Sequence, residues 1–169
     1  MPENIFSTAI ASKTMPVERS AGIILFRNTP EGRRYLIIRS SRGTSIIAEK
    51  KKIKEFWDLP KGVLNKGESG IDAARREAGE EVGINDIEIF SDFKKTIQYF
   101  TWRDGKRVLK FAALFLAESP TDTVALSWEH DKAEWLSYEG ARALVTLRQM
   151  KDVLKAAEKF LQKKSAERP

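Results

Sequence analysis

Apolar residues recur along the chain in two rhythms. Short runs rich in Ile, Leu and aromatic residues mark strands, and spacings of three and four mark helices. The runs "AGIILFR" (21–27) and "RYLIIRS" (34–40) predict two strands, and "NTPEG" between them carries Pro30 and Gly32, a turn signal. A second pair, "IEIFSDFKKTIQYFTW" (87–102) and "RVLKFAALFLAE" (107–118), is joined at Asp104-Gly105, a strong hairpin dipeptide. In the later run both alternating faces are apolar or small. Val108, Ala112, Leu114 and Leu116 lie on one, and Leu109, Phe111, Ala113 and Phe115 on the other, with only Lys110 breaking the pattern. Such a strand is predicted to be central and covered on both sides. "KAEWLS" (132–137) predicts one more short strand.

The helical rhythm appears in three places. In "SGIDAARREAGEEVGI" (69–84), Ile71, Ala74, Ala78 and Val82 form a stripe, with Ser69 as N-cap and Gly83 as the stop. Ser137 caps a short helix through Leu144. A last helix over 147–164 gathers Met150, Val153, Leu154, Ala157, Phe160 and Leu161 on one face, as core packing does. Residues 41–56 fit no single element, and Lys50, Lys51, Lys52 and Lys54 give them the look of a solvated, inserted loop. Residues 1–16 lack a period and predict a flexible extension. The expected architecture is a mixed sheet with helices on both faces, an α/β fold, in one domain over 17–164 with 165–169 as a tail.

Composition narrows the partners. The chain has 169 residues, 41% hydrophobic and 32% charged, an ordinary globular mixture. No apolar run approaches the roughly 20 residues of a membrane span, so no membrane partner is expected. The N-terminus carries Glu3 and no long apolar block, a poor signal peptide. The absence of cysteine excludes disulfides, thiolate catalysis and zinc–sulfur sites, and suits the cytoplasm, the expected location. A net charge of +6 favours anionic partners such as nucleotides, although a solvated cationic surface explains the charge equally well by itself.

The placement of individual acids says more. Glu77, Glu80 and Glu81 stand at i, i+3 and i+4 on the first helix, within an arc of roughly 100°. Like charges so placed repel, and Arg75 and Arg76 could relieve them as an ordinary salt-bridged face. But the acids border the apolar stripe, and Glu80 and Glu81 lie near the helix C-terminus, where the macrodipole disfavours anions. Clustered carboxylates suit a hard divalent cation, which in turn binds phosphate oxygens and activates water.

From Gly62 to Ile84 the chain reads "GVLNKGESGIDAARREAGEEVGI". This resembles the Nudix box, with Gly62, Glu68, Arg76, Glu77, Glu80, Glu81, Gly83 and Ile84 all in register and Ala78 smaller than the usual aliphatic residue. The resemblance implies an α/β/α sandwich with a mixed central sheet. It also implies a hydrolase of nucleoside diphosphates linked to another group, dependent on Mg2+ or Mn2+. It makes Glu77 and Glu81 metal ligands and Glu80 a further ligand or the general base. Arg76 orients the carboxylates, Glu68 takes an outer part, and the Gly62 carbonyl completes the metal shell. The implied chemistry is in-line attack on phosphorus by water that a carboxylate deprotonates, without a covalent intermediate.

Beyond the box, "AGIILFR", "WDLPKG", "FKKTIQY", "LFLAE" and "LSWEHDKAEWLSYEGA" are similar to the asymmetric diadenosine tetraphosphate hydrolases over about residues 18–162. That similarity implies a distal carboxylate at Glu129, phosphate contacts at Lys61 and Lys110, and a base-stacking ring at Tyr99. His130, the only histidine, reads more readily as structural than catalytic. The expected substrate is a dinucleoside polyphosphate. The alternatives are a diphosphoinositol polyphosphate or an RNA 5′ end, the one case in which nucleic acid is a partner. A non-catalytic nucleotide sensor ranks last, since no box acid is lost. The oligomeric state is not legible.

Overall fold

The computed structural model describes residues 14–41, 44–46, 51–53 and 55–168. Of the extension expected to be flexible over 1–16, residues 1–13 lie outside that range. The strands are β1 (Val17–Thr29), β2 (Gly32–Ser40), β3 (Thr44–Ile46), β4 (Lys51–Ile53), β5 (Phe56–Asp58), β6 (Lys61–Val63), β7 (Glu88–Ile89), β8 (Lys95–Arg103), β9 (Lys106–Glu118) and β10 (His130–Leu136). The helices are α1 (Gly70–Val82), α2 (Tyr138–Leu144) and α3 (Arg148–Ala166). The strands form one mixed sheet in the order β10-β2-β1-β9-β8-β3-β4, and β9 runs parallel to β1. This is the expected α/β/α sandwich.

Alternation along the strands builds two cores. Ile23 and Leu25 of β1, Leu36 and Ile38 of β2, and Phe115 and Ala117 of β9 face α1. Their neighbours Ile24, Phe26, Tyr35, Ile37, Leu114 and Leu116 join the core under α2 and α3. β9 is central and covered on both sides, as its two apolar faces require.

The β1–β2 hairpin is forked, and the fork positions the site. The two strands pair only from Phe26–Thr29 to Gly32–Tyr35. Beyond that they diverge, β5 pairs with Ile38–Ser40 and β6 pairs with Ser20–Gly22. The bend between β5 and β6 is pinned by Ile23 N–H, which donates to the Pro60 carbonyl at 2.9 Å. Gly22 makes this approach possible, because a Cβ there would lie 2.5 Å from the Lys61 Cβ and from the Pro60 oxygen. The Trp57 N–H and carbonyl bond to Thr146 after α2, which anchors the loop from the other side.

Four local expectations are corrected. Ile71 is exposed, and Ala73 takes the buried position beside Ala74, Ala78 and Val82. The helix begins only at Gly70, so Ile71 lies in its first turn. The run 87–102 is not one strand, because a turn at Ser91–Asp92 divides it into β7 and β8. The short strand expected over 132–137 starts earlier, at His130. Segment 41–56 is not a plain loop. It carries the pair β3–β4, and β3 meets β8 at Ile46–Thr101. Lys51 and Lys52 belong to β4, whereas Lys50 and Lys54 lie outside the described residues. Strands of three residues are too short to show a period. No helix among the described residues is long and apolar enough to cross a membrane.

Candidate active site

α1 starts at Ser69, whose side chain accepts from the Asp72 N–H, and ends at Gly83 with φ 68°. Its face toward β6 carries the acids. Glu77 and Glu81 are 7% and 6% exposed, while the Glu80 side chain is 59% exposed, so the triplet splits into two inner carboxylates and one open one. Glu81 Oε2 accepts from the backbone N–H of Lys61 at 3.0 Å. Gly62 lies directly against Glu77, and a Cβ there would fall 2.0 Å from the Glu77 Oε1.

Arg76 binds the box together. It donates to both oxygens of Glu68 (2.8 and 3.0 Å), to Glu77 (2.7 Å), to Glu80 (3.0 Å) and to the Val63 carbonyl (3.0 Å). Glu68 also accepts from Asn65 N–H, and the Arg76 contacts hold its carboxyl below the ordinary range. The Arg76 guanidinium is itself pushed up, first by Glu68. Arg76 and Glu68 are therefore fixed behind the inner acids.

The distal carboxylate arrives through the helix end. The last carbonyls of a helix lack intrahelical partners. Here the Val82 and Glu81 carbonyls accept from Ala125 and Ser127 N–H at 3.0 and 3.1 Å. That capping brings the loop after Ser127 alongside α1, with Glu129 and His130. Ligand atoms of Glu81, Glu129 and His130 lie within 4.8 Å of one another.

Two adjoining cavities result. One, of about 570 Å³, is lined by Lys61, Gly62, Glu77, Glu80, Glu81, Arg103, Lys110, Trp128 and Glu129 among others. The other, of about 300 Å³, shares Lys61, Glu81, Lys110 and Glu129 and adds Asp58 and His130. The expected residues Lys61, Gly62, Glu77, Glu80, Glu81, Lys110 and Glu129 thus share one cleft. Tyr99 stands opposite Lys110 in the β8–β9 pairing but packs against the core under α3 and lines neither cavity. Lys61 borders the cleft with its ammonium paired to Asp58.

Three residues missed by the pattern reading stand out. Asp58, 6% exposed, holds Lys61 and accepts from Leu59 N–H. An acid three positions before Lys61 was its one sequence signal. Glu18, 9% exposed, pairs with Lys110 at 3.1 Å and is the partner that a lysine in so apolar a strand requires. Trp128 is 71% exposed on the cleft wall, and no period flags it.

The electrostatics fit a cation. Burial pushes Glu77 up despite Arg76. Burial, with Glu77 next to it, pushes Glu81 up to about 8. Burial holds the His130 imidazole below its ordinary value against the pull of Glu129, and its Nδ1 is buried without a partner. Burial opposes the Lys61 charge most strongly, but Asp58, with Tyr99 and Glu81, outweighs it and holds Lys61 above its ordinary value. Two buried carboxylates, of which Arg76 engages only Glu77, with a third carboxylate and an imidazole nearby, are a donor set suited to a divalent cation such as Mg2+ or Mn2+.

The NUDIX domain family matches residues 16–159 of the chain. The chain belongs to the Nudix family. Among its curated relatives is the asymmetrical bis(5'-nucleosyl)-tetraphosphatase of Sus scrofa, 31% identical over 153 residues, covering 85% of this chain and 95% of the relative. An RNA pyrophosphohydrolase of Bartonella henselae is 37% identical over 89 residues, covering 51% of this chain and 47% of the relative. Among solved structures, a binary complex of a C. elegans Ap4A hydrolase superposes with a TM-score of 0.66 at 26% identity, covering 86% of this chain and 98% of that one. The chain is a Nudix hydrolase acting on pyrophosphate bonds, in a family that works on nucleotide polyphosphates and generally uses divalent metals.

One prediction follows from the buried Glu81 of this Nudix site. An unfolded glutamate loses its proton near 4.5 and the folded Glu81 near 8, so between those values the native state holds the extra proton. Stability then falls as pH rises. About one pH unit above 6.5, where an unfolded histidine is mostly neutral, His130 has almost ceased to oppose that slope. The protein in EDTA is expected to lose Tm steadily from about pH 7 to 8.5. Added Mg2+ should restore more at pH 8.5 than at pH 7, since the cation displaces the same proton. A Tm independent of pH over that interval, with and without Mg2+, would contradict a cation site at Glu81.

Proposed function

We propose that this Nudix hydrolase cleaves dinucleoside polyphosphates, splitting diadenosine tetraphosphate into ATP and AMP by in-line attack of water. The observation that carries the reading is one cavity lined by the box acids, three cationic side chains and an exposed Trp128. Polyphosphate needs the charges, and a nucleobase needs the flat apolar face. The end-to-end similarity to the Sus scrofa tetraphosphatase supports it further.

Glu77 and Glu81 would hold the divalent cation, with Glu80 or Glu129 and the Gly62 carbonyl completing its shell. A bound cation supplies charge neutralisation at the phosphate and a lower pKa for water. Arg76 holds the carboxylates in place, and Glu68 fixes Arg76. Glu80 and Glu129 are the two open carboxylates able to take the proton from the attacking water. Lys61 and Lys110 offset the charge of the phosphate chain. Tyr99, directly opposite Lys110 in the β8–β9 pairing, packs against the core rather than lining the cleft.

A second reading, an RNA 5′-pyrophosphate hydrolase, has the Bartonella henselae match in its favour, but over half of each chain. One assay separates the readings. The protein is incubated with Mg2+ and a panel of dinucleoside polyphosphates, inositol pyrophosphates and triphosphorylated RNA, and the products are identified. Turnover of diadenosine tetraphosphate to ATP and AMP is expected to be fastest. An intact tetraphosphate beside a cleaved RNA or inositol pyrophosphate would overturn the proposal.

A further inference from the structure

Two ion-pair groups border the cleft, and their stoichiometry differs. Lys61 has Asp58 to itself, with side chains 12% and 9% exposed. On the opposite side one carboxylate serves two cations. Glu18 stands on β1 directly beside Lys110 of β9. Its Oε1 lies 3.1 Å from Lys110 Nζ, and its Oε2 pairs with Arg103 at the end of β8. Glu18 and Lys110 are 8% and 15% exposed, whereas Arg103 is 56% exposed. The three side chains together carry a net positive charge, and Arg103 is the exposed cation of the group. Arg103 lines the same cavity as Glu77, Glu80 and Glu81.

We propose that Arg103 is a phosphate-binding residue of this cleft and that Glu18 is the positioning residue that holds it there. The proposal rests on the polyphosphate reading above. A guanidinium has five N–H donors, and a carboxylate engages two at most, so Arg103 keeps donors for a phosphate while its stem is held. The buried Glu18 fixes a side chain that would otherwise sample many rotamers, so less freedom is lost when the anion binds. Lys61, paired one to one with Asp58, adds less net positive charge to the cleft than this group does. The arrangement favours substrates whose phosphate chain continues from the acids toward β8.

The test uses the full chain with Mg2+ present. KM and kcat for diadenosine tetraphosphate, and the calorimetric affinity for inorganic tripolyphosphate, are measured for the wild type, Arg103→Gln, Glu18→Gln and the double variant. Arg103→Gln is expected to raise KM about tenfold, to leave kcat within about twofold, and to weaken tripolyphosphate by a similar factor. Glu18→Gln should act in the same direction, and the double variant should lie within about twofold of Arg103→Gln, because Glu18 works through Arg103. Unchanged KM and tripolyphosphate affinity in Arg103→Gln would overturn the proposal, and that exposed side chain can be replaced without threat to the fold. Multiplying effects in the double variant, or a lower KM in Glu18→Gln, would overturn the positioning role. Weakened tripolyphosphate binding with no cleavage of the tetraphosphate by the wild type would leave the arginine site standing and remove the substrate reading.

Discussion

Glu81→Gln is expected to lower turnover by roughly 10²–10⁴-fold while the domain stays folded. Glu81 is the inner acid with the most perturbed carboxyl, and it faces both cavities. Glutamine keeps its volume and an oxygen to accept from the Lys61 N–H, so the packing of α1 against β6 survives. What is lost is the negative charge that the proposed cation needs. Removing it should raise stability in EDTA at about pH 8, because ionising a carboxylate in a buried site is costly. The variant should thus melt at or above the wild type without metal, gain little from added Mg2+, and hydrolyse substrate poorly. Near-normal turnover would remove Glu81 from the metal site. A collapse of Tm would make its role structural.

Gly62→Ala is expected to be nearly as damaging, for a steric reason. The new Cβ would lie 2.0 Å from Glu77 Oε1 and 2.3 Å from its carboxyl carbon. Gly62 is paired with Ala21 in the sheet, so the backbone cannot retreat. Glu77 must swing away, and that breaks its contact with Arg76 at 2.7 Å. Overpacking of this kind costs about 1–3 kcal/mol, which in a domain of this size lowers Tm by several degrees. Activity should fall at least about 10²-fold, as when acting groups are misplaced by an ångström. A variant that melts lower yet keeps full activity would show that the position of Glu77 is not needed for turnover.

Much of the fold could be read from the chain because its signals are local. The two rhythms located β1, β2, β9, α1 and α3. Ser69 and Gly83 bounded α1, and Asp104 and Gly105, both with positive φ, made the hairpin turn. The short strands β3, β4 and β7 were not legible, since two or three residues define no period, and β3 and β7 are tied into the sheet by β8 and β9 farther along the chain.

The sequence by itself determined the family and the set of acids. Eight matched positions put Glu68, Arg76, Glu77, Glu80 and Glu81 on one loop and one helix, and helical geometry leaves such residues no choice but proximity. Only the tertiary structure decided how each charge is balanced. Glu18 and Lys110 are 92 positions apart in the chain and become neighbours through the parallel pairing of β1 with β9. Glu129 reaches Glu81 because unpaired carbonyls at the end of α1 accept the N–H groups of a remote loop. Tyr99, the ring that the resemblance offered, packs on the core, whereas Trp128, which no pattern flagged, is exposed at the cleft. Spacing along a chain fixes which groups share an element. Which of them remain charged, open and unpaired is settled by partners that the chain delivers only when the sheet closes.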